Sequence, residues 1–555
     1  MTSRTIARPP LSALVCALVA GGCAQPNAPE SQPAGGYADT VFHNGRVYTA
    51  DEERSWAEAV AIRDGRFLST GSNEAMLGLA GPQTLRHDLG GAMAMPGLHD
   101  AHFHTMAIFQ SLDCSPPFFT PDQLRDTLEY CATQRVEGHP WLVINNLELW
   151  DVSGTVTNDV LNDVFPDIPV MIRDTSFHMR LVNDTALQMA GVDEATPDPD
   201  GGQILRHPDT GRPSGVLVEL SAIALVDAPS VIPPYPEEAE ALALQNMVGE
   251  LFRLGITSIQ DAYAPDPGLL TRLGDFDRAG RPMPYTQIHL GWSYPEGDTR
   301  RGEEAMIRDR SRFETPHVSM NGIKVFLDGV PIPPAFTHVP LNEDGTVDET
   351  NLLVPRGVLA QKLIEWDKAG LTVKMHAAAD GAVRVGLDAI EAVRAANGDS
   401  GVWHEIAHAG DVHENDMTRF AELRAVAEVS PYFWHEGPFS GARASYRFRS
   451  LHGAGALITL GSDNNILPSF NAFPALQGVV TREGESVPVA PAIDFYTRNP
   501  AEAMGRLHEL GSIEPGKIAN MIVLDRNLLE IEPDAIGAAQ VLVTVLDGDI
   551  VYSGK

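Results

Sequence analysis

Positive charge is scarce in this chain. Lys and Arg number 40 against 74 Asp and Glu, a formal net charge of -34 over 555 residues. Nucleic-acid binding runs on phosphate neutralisation by basic residues, so this balance excludes that class of partner. Cysteine is scarce too, with four in all: Cys16, Cys23, Cys114 and Cys131. Too few thiols exist for a disulfide-built scaffold, and neither Cys114 nor Cys131 stands near a histidine in sequence that would make it a nucleophile. The apolar run at the N-terminus, residues 11–20, is too short to span a bilayer as a helix. What is abundant is ordinary globular material. Hydrophobic residues make up 43%, and 50 Gly and 41 Pro supply many turns.

The N-terminus reads as a targeting segment. Arg4 and Arg8 precede the apolar run, and Ala20-Gly21-Gly22-Cys23 follows it. Small residues before a cysteine resemble a bacterial lipoprotein signal, with Cys23 as the lipidated first residue. Ala20 stands where such signals more often carry Leu, which leaves ordinary secretory cleavage open. The expected division is a signal at 1–22 and a Gly/Pro/Ser/Gln-rich linker at 23–38. Export places the protein in the periplasm or on the outer membrane, touching the membrane only through the anchor. In that oxidising setting Cys114 and Cys131 either pair or remain two buried thiols.

The chain is organised around Met95-Pro96-Gly97-Leu98-His99-Asp100-Ala101-His102-Phe103-His104. Alternate residues of a strand face one way, so His102 and His104 present two imidazoles to one point, half of a transition-metal site. Upstream, the turns Asn44-Gly45 and Asp64-Gly65 separate short apolar runs as hairpins do, and the C-terminus repeats that style at 519–524 and 541–552. The middle alternates apolar runs with helical patterns, as a parallel α/β barrel does. Ten strand candidates exceed the eight a barrel needs, so at least two of those near 141–145, 170–173, 258–261 and 286–290 belong to an insertion. Residues 198–220 read as a hairpin excursion near the mouth.

The Pro-Gly-Leu-x-Asp-x-His-x-His stretch resembles the metal-dependent amidohydrolase superfamily, and within it the subgroup of YtcJ-like proteins and N-substituted formamide deformylases. The likeness covers nearly the whole chain after about residue 38. It implies an α/β fold: a (β/α)8 TIM-like barrel at 96–504, beside a small β-sandwich formed by residues 39–95 and 505–555. Gly511 to Ala519 matches the family's return into that sandwich, with Asn520 where Asp is usual.

The remaining chemistry follows from this resemblance. Lys324 sits inside the apolar run Ile323 to Leu327, where an ammonium is costly unless paired or neutralised. Asp328 is one neutraliser. The family's alternative is carboxylation of the lysine, which turns it into a bridging metal ligand. His376, His408 and Asp463 each end an apolar run, where barrel enzymes place their chemistry. At His408 the chain departs from its subgroup, with Ala407 where Glu is frequent. The implied centre has His102, His104 and Asp463 on one divalent ion, His376 and His408 on a second, and carboxylated Lys324 between them. Zinc suits this donor set, and a one-metal site stays open. Asp463 and His178 are the catalytic candidates, and Trp150, His404 and Trp434 are expected to line the pocket of a small-molecule substrate. The expected reaction is hydrolysis of an amide-type C–N bond. Ester or lactone hydrolysis, isomerisation, or a noncatalytic ligand-binding lipoprotein are the alternatives, and homo-oligomerisation is left open.

Overall fold

The centre of the molecule is eight parallel strands paired in chain order. They are β1 Leu98–Phe103, β2 Ile256–Ala264, β3 Tyr285–Gly291, β4 Val318–Phe326, β5 Thr372–His376, β6 His404–Ala407, β7 Ala425–Val429 and β8 Leu457–Leu460. The computed structural model describes residues 36–149, 156–228, 230–264, 266–294, 303–331, 337–431, 446–464 and 470–554. Every residue of β1, β2 and β3 is buried, as expected of strands covered on both faces. Helices pack outside. Asp380–Asn397 buries Val383, Leu387, Ile390 and Val393, three or four residues apart and therefore on one face. Pro267–Arg278 begins at an Asp266 cap whose carboxylate accepts from the Gly268 and Leu269 amides.

The two ends of the sheet meet. The Asp463 amide donates to the His102 carbonyl at 2.7 Å. The Asp100 carboxylate accepts from the His102 amide at 3.1 Å and the Ser462 amide at 2.9 Å. Gly461 lies against β1 so closely that a Cβ there would stand 2.3 Å from that of His102. A side chain at 461 would push the barrel open beside the HxH pair.

The segments flanking the barrel share two sheets. One joins Arg66–Gly71, Ala59–Arg63, Ala38–His43 and Ala80–Asp88. The other joins Asp549–Ser553, Val541–Leu546, Met521–Leu524, Met93–Pro96, Arg46–Tyr48 and Trp56–Ala57. The join between early and late chain is antiparallel, with Met95 opposite Ile522. Phe42, Val60 and Phe67 from the first sheet and Val47, Met521, Val523 and Val545 from the second form one apolar core.

Between β1 and β2 the chain builds a separate five-stranded sheet, in the order Gln203–Arg206, Pro213–Val218, Met179–Val182, Val170–Asp174, Leu142–Leu147. The strand candidates near 141–145 and 170–173 belong here, not to the barrel. The excursion at 198–220 is its edge hairpin. Cys114 and Cys131 are joined in a disulfide that ties the helix Leu124–Ala132 to the chain bridging to Ile144. Among the described residues, no helix is long and apolar enough to cross a membrane.

An ionic contact at His317 joins barrel and sandwich. The His317 ring, just before β4, meets Asp277 through Nδ1 and Asp547 through Nε2, each at 2.7 Å. Burial opposes the charged ring, but the two carboxylates outweigh it and push its pKa from 6.5 up to about 9. A raised folded-state pKa means that this contribution is complete below about pH 6.5 and is lost as pH rises through about 9. His317→Gln is therefore expected to lower the melting temperature at pH 6. The gap to wild type should close above pH 9, as read by thermal unfolding of both proteins across that range. A gap independent of pH would mean that the ring contributes by packing alone.

Candidate metal centre

All six ligand candidates from the sequence lie at or near the C-terminal ends of barrel strands. Five of them come together at the mouth. His104 Nε2 is 3.0 Å from Asp463 Oδ1, and His102 Nε2 is 3.9 Å from the same oxygen. His408 Nδ1 is 3.9 Å from Asp463 Oδ2. One donor atom from each of His102, His104 and Asp463 lies within 4.8 Å of the others. The ring of His408 stands 4.6 Å from those of both His102 and His376, centroid to centroid. His408 and Asp463 are turned over the mouth by left-handed backbone, φ 69° and 48°. Such strain costs on the order of 1–3 kcal/mol per residue and collects at functional sites.

Three of the imidazoles are held neutral. Burial first, then neighbouring cationic groups including Lys324, keeps His102, His376 and His408 well below the usual histidine range. Two of them are also oriented. His102 Nδ1 is bonded to Glu428, and His376 Nδ1 to Asp328 at 3.0 Å. A carboxylate on Nδ1 fixes the ring and leaves Nε2 as a lone-pair donor, the arrangement that supports metal-ligating histidines. His104 Nδ1 is buried without a hydrogen-bond partner among the described residues. Neutral, oriented imidazoles around a carboxylate fit a divalent transition metal. Glu428→Gln is expected to weaken metal retention about 10–100-fold while the fold persists, checked by competition against a chelator.

Lys324 is fully buried on β4, and burial lowers its pKa to about 8. Its Nζ lies 5.1 Å from the Phe326 ring. Asp328 does not neutralise it. That carboxylate instead takes His376 and the amides of Val339, Ala378 and Ala379, at 3.0–3.2 Å. Directly across from Lys324 in the β4–β5 register is Lys374, also fully buried. Lys374 Nζ is paired, at 2.7 Å to both the Ala101 carbonyl and Glu405 Oε2. Burial works to raise the Glu405 carboxyl, but Lys374 and His289 outweigh it and hold it at about 2. Glu428, which bonds His102 but stands 4.0 Å from the Lys374 ammonium, is pushed by burial up to about 8.

His178 comes from outside the barrel, on the turn between Val170–Asp174 and Met179–Val182 of the inserted sheet. Its ring lies 5.5 Å from that of His376, and its Nδ1 is 2.7 Å from Glu219 Oε2. His404 is a correction. It begins β6, at the opposite end of the strand from His408, with Nε2 on Asp367 at 3.1 Å and Nδ1 accepting the Val373 amide. Fully buried with both ring nitrogens occupied, it braces the barrel's far end and cannot line the mouth. Trp150, Trp434 and Cys23 lie outside the described residues. Sequence reasoning passed over Glu428, Glu405 and Lys374. The signal was present: each is a charge within an apolar strand, the cue that singled out Lys324.

A family profile described as the amidohydrolase family matches residues 87–552. Over 93% of its length the chain is 29% identical to the N-substituted formamide deformylase of Arthrobacter pascens, covering 98% of that protein. It is 27% identical to the putative amidohydrolase YtcJ of Bacillus subtilis, over 92% of this chain and 99% of that one. In fold it is similar to an uncharacterized metal-dependent hydrolase from Pyrococcus horikoshii. That match has a TM-score of 0.68 at 20% identity, over 89% of this chain and 99% of the other.

Proposed function

The chain belongs to the amidohydrolase family, in the group of YtcJ-like and N-substituted formamide deformylase-like proteins, and on that premise we propose that it hydrolyses a non-peptide C–N bond in a small molecule. The observation that carries this reading is the convergence of His102, His104 and Asp463 on one point at the barrel mouth. His102, His104 and Asp463 would hold one divalent ion and His376 and His408 a second, with Lys324, once carboxylated, as a further anionic ligand. Zinc is the metal this donor set suits. A bound divalent metal supplies an acidified water and polarises the scissile carbonyl. Asp463 accepts the proton of the attacking water as the O–C bond forms. It delivers that proton to the nitrogen as the C–N bond breaks, leaving an acid and an amine. His178 meets the substrate's oxygen from the side.

The leader at 1–22, with lipidation at Cys23 ahead of a linker, would place this activity in the periplasm or at the outer membrane, an oxidising setting suited to the Cys114–Cys131 bond. Mass spectrometry of the mature N-terminus from a membrane fraction tests that part. A diacylglyceryl-modified Cys23 supports it, and an unmodified soluble N-terminus overturns the anchor.

For the reaction, the experiment is a panel of N-substituted formamides, N-acyl amines, N-acyl amino acids and lactones given to metal-loaded protein. Turnover of a formamide or N-acyl compound supports the proposal. Turnover of lactones alone moves the chain to ester chemistry. Failure to retain metal after reconstitution removes the enzyme reading.

A further inference from the structure

Three buried histidines near the mouth have Nδ1 tied to a carboxylate: His102 on Glu428, His376 on Asp328 and His178 on Glu219. The first two pairs are internal to the barrel. The third is not, because the inserted sheet supplies both of its members.

Glu219 grips His178 twice. Its carboxylate meets the ring, and its amide donates to the His178 carbonyl at 2.7 Å, extending the ladder in which Met179 faces Val218. Both halves of the grip are strained. Phe177, immediately before the histidine, has φ 63°, and Glu219 itself has φ 66°. Neither is a glycine, so each persists only because its surroundings over-determine it. The His178 turn is pinned by Asp174, which accepts from the Ser176 amide at 2.9 Å and the Met179 amide at 2.8 Å.

Glu219 is also fastened to the barrel. Its other oxygen, Oε1, accepts from the Thr337 hydroxyl, on the chain leaving β4. Gly329 makes room for this contact, since a Cβ there would lie 2.2 Å from both Glu219 Oε1 and Thr337 Oγ1. The adjacent pair Asp328-Gly329 thus serves two histidines. Asp328 orients His376, Gly329 admits the carboxylate that orients His178, and the two rings stand 5.5 Å apart.

We propose that Glu219 is a positioning residue: it locks the inserted sheet to the barrel and fixes the His178 imidazole beside His376, where His178 engages the substrate's oxygen. The turnover part of this inference rests on the hydrolase reading. The orientation of His178 does not.

The test uses metal-loaded wild type, Glu219→Gln, Glu219→Ala, His178→Gln and the Glu219→Ala/His178→Gln double variant, with the panel compound that wild type turns over fastest. Glu219→Ala is expected to lower kcat about 10–100-fold, with KM and metal content little changed. The double variant should be no slower than His178→Gln alone, because the two act as one unit. Glu219→Gln, which still offers an amide oxygen to Nδ1, should recover part of the loss. In 15N spectra of histidine-labelled protein, the His178 proton should sit on Nδ1 in wild type and redistribute in Glu219→Ala. Multiplicative losses in the double variant, or metal loss in Glu219→Ala, would overturn the positioning role. So would an unchanged His178 tautomer in Glu219→Ala. If wild type turns over no panel compound, the hydrolase reading fails by itself, and the 15N comparison alone decides for or against Glu219.

Discussion

Lys324→Ala is expected to cut the metal content of the purified protein from about two ions per chain to one or none, with a loss of turnover of about 10³-fold or more. Two buried lysines face each other across β4 and β5. Lys374 is satisfied by Glu405 and a backbone carbonyl. Among the described residues Lys324 has no comparable carboxylate contact, acts electrostatically on the candidate ligands His102, His376 and His408, and is pulled by burial to about 8. A lysine partly neutral near pH 7 is the form that captures carbon dioxide, and the carbamate it becomes is an anion suited to bridging metals. Elemental analysis of wild type and variant reads the outcome. A wild-type value near one, insensitive to the substitution, would leave a mononuclear centre built on Asp463. Lys374→Ala gives the contrast: it strips a buried ion pair and should act through stability, at about 3–5 kcal/mol.

Asp463→Asn separates two roles of one side chain. The amide keeps an oxygen beside His104 and His102 but cannot take up a proton. Turnover is expected to fall about 10²–10⁴-fold, with KM and metal content largely kept, because general-base catalysis is an interaction of the transition state. Stopped-assay kinetics with paired elemental analysis check this. Loss of metal in step with loss of turnover would make Asp463 chiefly a ligand.

Much of the site was legible because of where its residues fall. His376, His408 and Asp463 each close an apolar run, and the end of a strand is where a barrel opens. His404, expected to line the pocket, stands instead just before its own apolar run. Sequence spacing marks nearness to a strand without saying which end, and only the fold shows Asp367 waiting for that ring at the far side. The inserted sheet was hard to separate from the barrel for a related reason. Val170–Asp174 is as buried as a barrel strand, so its run of apolar residues carries the same signature. Glu428 escaped notice because a single acid in an apolar strand suggests a function only once its partner is known, and His102 lies 326 residues away. Glu219 gave no signal at all. Its meaning lies in a left-handed backbone and in a glycine on another loop.

The pairing of Met93–Pro96 with Met521–Leu524 bears on the order of events during synthesis. A chain emerges from its N-terminus, and contacts between distant segments wait for the later partner. The strand carrying His102 begins at Leu98, directly after the segment that needs residues 521–524 beside it. The candidate ligand histidines encoded near the start therefore gain their final support only when the last stretch of polypeptide is in place. Until then, β1 lacks both the sheet that anchors its entry and the β8 turn that closes over its exit. Assembly of the candidate metal centre is thus expected to wait on completion of the chain, and a protein truncated before Met521 is expected to carry every candidate ligand without the strand that anchors β1.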